Sequence, residues 1–142
     1  MKTNILNTEA SLDSTSGALW QKLMKKTDIA HEQYIKRKLN YKSIDTNASR
    51  NVTFRLFFPV MYYPALRWHP LNGAIWSNSC IKRFEDGDIL PYYDSYRKYV
   101  GDEWDSMLKL KGFRTPTVGA LLEKIRWFNE QIQEMKRCRH KT

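Results

Sequence analysis

Two acidic runs come nearest to a reaction centre by residue type and spacing: Glu85, Asp86 and Asp88 in "FEDGD", and Asp102, Glu103 and Asp105 in "GDEWD". Paired carboxylates can hold a divalent cation or divide acid and base roles between them. Neither run has the ligand spacing of a calcium loop, and clustered acids beside glycine usually form a solvated turn. Nucleophilic chemistry needs a base within hydrogen-bond reach of a Ser or Cys. The histidines are His31, His69 and His140, and none stands in a supporting motif. His69 and Cys80 flank a turn region, where a chance meeting is a better account than a dyad. His31, on a long helix, reads as a partly exposed packing residue. Cys80 and Cys138 make neither a CxxC pair nor a zinc spacing, so both read as free thiols of a reducing compartment. A glycine-rich phosphate loop is also missing. The leading reading therefore has no catalytic residue, no metal and no cofactor, with a metal-dependent hydrolase or nuclease using Asp86, Asp88 and His69 as the enzymatic alternative.

Binding chemistry is better supplied. The 142 residues carry 24 Lys and Arg against 15 Asp and Glu, a formal charge of +9, which favours an anionic partner. The candidate RNA contacts fall in three groups: Lys36, Arg37, Lys38 and Lys42; Arg67, Trp68 and His69; and Lys136, Arg137, Arg139 and Lys141. Cations of this kind neutralise phosphates and release counterions, and an interleaved Trp or His can stack on an unpaired base; Trp68 and Tyr62 are the aromatics interleaved with the charge. The bland alternatives are solvated charge at helix ends and a Trp68 that belongs to the core. An anionic membrane surface is a further candidate partner, but no apolar run approaches the roughly 20 residues of a spanning helix. A small-molecule substrate is not indicated.

These groups need elements to hold them. A hydrophobic fraction of 42% and an aromatic fraction of 13% exceed what a disordered chain carries, and the length suits one domain. Thr3 to Leu6 can open a strand, and "LDSTSG" offers hydroxyl and carboxylate acceptors to a helix start. Leu19, Trp20, Leu23, Met24, Ala30, Tyr34 and Leu39 then recur at helical spacing, with lysines off the stripe. "KSIDTNASRN" reads as a loop, in which the glycosylation sequons at Asn47 and Asn51 are treated as chance because no secretory leader precedes them. "VTFRLFF" reads as a strand with Val52, Phe54, Leu56 and Phe58 on one face, ended by Pro59. "ALRWH" reads as a second strand, turned at Asn72-Gly73 into a hairpin with "AIWS". From Cys80, the spacing of Tyr92, Tyr96, Tyr99, Val100, Trp104, Met107 and Leu108 gives one helix broken at Gly101, or two short ones. Thr115-Pro116 is a helix entry, and Val118, Leu121, Leu122, Ile125, Phe128, Ile132 and Met135 form the stripe behind it.

The expected class is α+β: a small sheet with a central antiparallel hairpin, a long N-terminal helix and a C-terminal helix. In this reading a single domain spans 1–142, with core elements over about 3–77 and 115–136, a helical insertion at 81–114 and a basic tail at 137–142. "STSGALWQKLMKK", "VTFRLFFPVMYYPALRWHPLNG" and "TPTVGALLEKIRWFNEQI", in this order, cover somewhat more than half of the chain. The pattern resembles the thioredoxin-like domain shared by several mitochondrial ribosomal proteins and one small accessory subunit of respiratory complex I. The resemblance implies a mitochondrial structural subunit contacting ribosomal RNA and neighbouring ribosomal proteins, or alternatively a complex I accessory subunit. It implies no redox role, since the CxxC is absent, and it sets Tyr63-Pro64 at the fold's cis-proline position. The N-terminal residues lack the arginine-rich, acid-free character of a transit peptide. A phage or cellular DNA-binding regulator is the remaining reading from another class.

Overall fold

The computed structural model describes residues 11–141, with side chains as far as Cys138. The strand expected at Thr3 to Leu6 lies outside the described residues. The class is α+β: helices α1 (Ala18–Lys38), α2 (Asn78–Glu85), α3 (Leu90–Val100), α4 (Glu103–Leu108) and α5 (Val118–Lys141) accompany strands β1 (Val52–Arg55) and β2 (Ala74–Ser77). The chain divides into two compact units, one of residues 1–34 and 114–142 and one of residues 35–113.

In the first unit the sequence stripes become a helix-on-helix core. Leu23, Ala30 and Tyr34 of α1 are buried, as are Val118, Leu121 and Phe128 of α5. Thr27 and His31 complete the α1 stripe at helical spacing, so His31, expected to be partly exposed, is only 2% exposed. Its ring meets the edge of Phe128 at 5.5 Å, a favourable aromatic geometry. Thr27 satisfies its buried hydroxyl by donating to the Leu23 carbonyl at 2.7 Å. The α5 cap falls two residues later than expected: Thr117 Oγ1, not Thr115, accepts from the Ala120 N–H at 3.1 Å. Val118 and Gly119 donate to the carbonyls of Ser14 and Leu12, which serve helix-start N–H groups that have no partner within the helix.

The second unit has an aromatic core around the two-stranded sheet. β1 and β2 pair antiparallel, Val52 with Ser77 and Arg55 with Ala74. β2 is buried along its whole length, and Trp76 is fully enclosed. Phe57 stacks on Tyr96 at 4.1 Å and Trp76 on Tyr92 at 4.3 Å. The Trp76 indole N–H donates to Ser95 Oγ and the Tyr92 carbonyl. Residues 81–114 supply Tyr92, Tyr96, Val100 and Met107 to this core, on the two short helices α3 and α4 that their spacing and Gly101 suggested. Gly101 ends α3 at φ +55°, the left-handed region that glycine tolerates.

The segment between the strands departs from the expected hairpin. "ALRWH" is not a strand: Pro64–Leu66 form a 3-10 turn, and Tyr63–Pro64 is trans, not cis. The antiparallel partner of "AIWS" is instead β1. The physical reason is the Asn72 side chain, which is fully buried. Its Oδ1 accepts from Phe58 N at 2.9 Å, and its amide donates to Phe58 O at 3.1 Å and Leu66 O at 2.9 Å. The Phe58 and Leu66 backbone groups are thereby satisfied by a side chain instead of a strand partner, and β1 ends at Arg55, opposite Ala74, the first residue of β2.

Candidate nucleic-acid interface

The first basic group is built by the end of α1. Lys36, Arg37 and Lys38 occupy its last turn, where the negative end of the helix dipole favours cations. Asn40 and Tyr41 then adopt φ of +56° and +59°, and Tyr41 N donates back to the Lys36 carbonyl at 2.8 Å. This reversal ends the helix and places the exposed Tyr41 ring 5.9 Å from the Arg37 guanidinium, a cation–π geometry. Lys38 and Lys42 are exposed, whereas Lys36 and Arg37 are half-buried along their stems. Lys42 also lines a cleft of about 620 Å³ with Asp45, Asp94, Ser95 and Lys98. The cleft's scaffold groups are engaged: Asp45 binds Ser77 through both oxygens, and Ser95 Oγ donates to the Pro91 carbonyl.

The second group is only partly available. Arg67 caps the 3-10 turn and lies 5.0 Å over the Trp68 ring. Trp68 is 8% exposed, so it belongs to the core and offers no stacking face. His69 is half-buried, and its Nδ1 accepts from Leu71 N at 3.1 Å, a structural use of that nitrogen. On α5, Lys136 is exposed, while Arg137 pairs with Glu134, whose carboxyl that guanidinium holds below the usual carboxylate range. The side chains of Arg139 and Lys141 lie outside the described residues.

A fourth feature is the loop between Pro59 and Pro64, which carries Tyr62, one of the two aromatics that the sequence interleaves with the basic groups. Met61 is 81% exposed and Tyr62 73%. The signal was legible: tandem tyrosines between prolines, with no alternation to bury them. Comparison with protein-family models, curated proteins and solved structures found no match.

Two of the acids that suggested catalysis are ion-paired. Asp86 pairs with Lys82 and Asp88 with Arg83. The Cys80 thiol is buried, and burial pushes its pKa up, which disfavours the thiolate a nucleophile requires. Among the described residues no three His, Cys, Asp or Glu side chains converge as metal ligands. Among the same residues, no helix is long and apolar enough to cross a membrane.

Proposed function

We propose that the protein is a non-catalytic structural subunit of a ribonucleoprotein particle, bound to RNA through the basic end of α1 and to neighbouring proteins through its exposed apolar side chains. The observation that carries this reading is the Lys36, Arg37, Lys38 and Lys42 cluster, fixed by the left-handed reversal at Asn40 and Tyr41, on a chain of charge +9. A rigid helix end with several cations suits phosphate contacts, which position a protein on RNA without reading its sequence. The ion pairs at Asp86 and Asp88 and the buried Cys80 favour a scaffold over a hydrolase.

The mitochondrial ribosome, ribosomal RNA as ligand and the thioredoxin-like arrangement belong to this proposal as its finer form. They rest on the order of elements, and the loss of the proline-led strand removes one of their supports. The test is RNA binding across a salt series. Counterion release makes log K fall linearly with log salt at about 0.7 to 0.9 per phosphate neutralised. Lys38→Glu with Lys42→Glu should lower both the affinity and the slope. A slope near zero, or no binding, would remove the RNA reading. Sedimentation of the tagged protein from its own cells then tests the particle: comigration with ribosomal RNA fits a ribosome, and an RNA-free respiratory complex fits the accessory-subunit alternative.

A further inference from the structure

The loop from Phe58 to Leu66 is held more firmly than its exposure requires. Asn72 ties Phe58 and Leu66 together at its base through a fully buried carboxamide. Within the loop, Tyr62 N and Tyr63 N both donate to the Pro59 carbonyl, at 3.1 and 2.9 Å. Prolines fix φ at both ends, and the Tyr63 ring packs edge-on against Phe58 at 4.9 Å. The result is a closed, preorganised loop that leaves Met61 and Tyr62 in water. A ring held out at 73% exposure contributes little packing among the described residues, and the hydrogen-bonded loop backbone lowers the entropy lost when a flat ligand covers it.

Resting on the RNA-binding reading above, we propose that this loop is a stacking platform and that Tyr62 receives an unpaired RNA base. The partner's class follows from charge and shape. A chain of +9 attracts a polyanion, and an exposed aromatic ring offers an unpaired base its π-face, which a paired duplex keeps stacked inside. Of the two aromatics that the sequence interleaves with the charge, Trp68 is buried and Tyr62 is exposed. Arg67, at the end of the adjoining 3-10 turn, supplies a cation on the same segment.

The test measures binding of labelled single-stranded oligouridylate, and of the oligouridylate–oligoadenylate duplex, by the wild-type chain and by Tyr62→Ala and Tyr62→Trp. Tyr62→Ala should weaken single-strand binding about 5- to 150-fold, the range expected for one lost base–aromatic stack. Its duplex affinity and its salt slope should be unchanged, and Tyr62→Trp should retain or strengthen single-strand binding. Unchanged thermal midpoints check that the exposed substitutions leave the fold intact. Salt-dependent RNA binding that is indifferent to Tyr62→Ala would overturn the platform and leave the RNA reading standing. Failure of the wild-type chain to bind either probe would overturn both. If Tyr62→Ala spares RNA binding but abolishes binding to phosphatidylserine vesicles, the loop belongs to a lipid surface and the platform is overturned.

Discussion

Asn72 makes three hydrogen bonds from a position with no exposure, each to a backbone group. Asn72→Ala should therefore destabilise the chain by on the order of 3 kcal/mol, since each buried group left unmade costs about 1–3 kcal/mol and local rehydration recovers part of it. Urea unfolding monitored by tryptophan fluorescence checks this, and an effect near zero would mean that the loop base opens freely. The buried tyrosines give a second expectation at this scale. Burial pushes Tyr92 up to about 12, against a smaller lowering pull from Arg55, and burial raises Tyr96 as well. The unfolded phenols ionise near 10. The folded state therefore holds protons that the unfolded state releases, and stability falls as pH rises above about 10. The stabilising contribution of Tyr92 is fully present below pH 10 and is lost as pH rises through about 12. Tyrosinate absorbance should show these groups ionising together with unfolding and not before it.

Ser77 joins the last residue of β2 to the first turn of α2, and it shows how elements are coupled in residues 35–113. Its Oγ accepts from Cys80 N at 3.2 Å and donates to Asp45 Oδ2, while its own N–H donates to Asp45 Oδ1. Ser77→Ala should cost about 1–2 kcal/mol through the lost helix cap, measured by chemical denaturation, and Asp45→Ala should cost a similar amount by releasing the same serine. Gly73 immediately precedes β2 at φ +137°, and a Cβ there would stand 2.9 Å from the Phe54 ring. Gly73→Ala should lower stability by about 1–3 kcal/mol from crowding alone, with backbone strain added. Long elements were legible in the sequence because their stripes are long: α1 and α5 bury the expected Leu23, Tyr34, Val118, Leu121 and Phe128. The "ALRWH" segment was not, because its conformation is decided by a side chain beyond its end. β-propensity describes a residue's fit to a pleated surface, and Asn72 removes that surface by occupying the backbone of Phe58 and Leu66. The candidate site divided in the same way. The cations at the end of α1 follow from helical periodicity and dipole, whereas choosing between Trp68 and Tyr62 required knowing which of the two is enclosed.

At the scale of the whole chain, charge is the property that selects a partner. Some of the acids are taken up in ion pairs, as Asp86 with Lys82, Asp88 with Arg83 and Glu134 with Arg137, and each such pair leaves the excess of +9 unchanged. Such exposed pairs add little stability, and raising salt should weaken partner binding far more than it alters the unfolding midpoint. Parallel titrations of RNA affinity and thermal stability against salt test this separation, which fails if both fall together. The Asn72-Gly73 pair carries one more consequence, a chemical one. Asparagine followed by glycine is the pairing most prone to lose its amide, through attack of the next backbone nitrogen on the side-chain carbonyl. In the folded chain that nitrogen donates to the Leu71 carbonyl, and the carboxamide is pinned by Phe58 and Leu66. Deamidation at this position should therefore proceed from opened molecules, so the isoaspartate found in an aged sample would record how long its chains had spent unfolded.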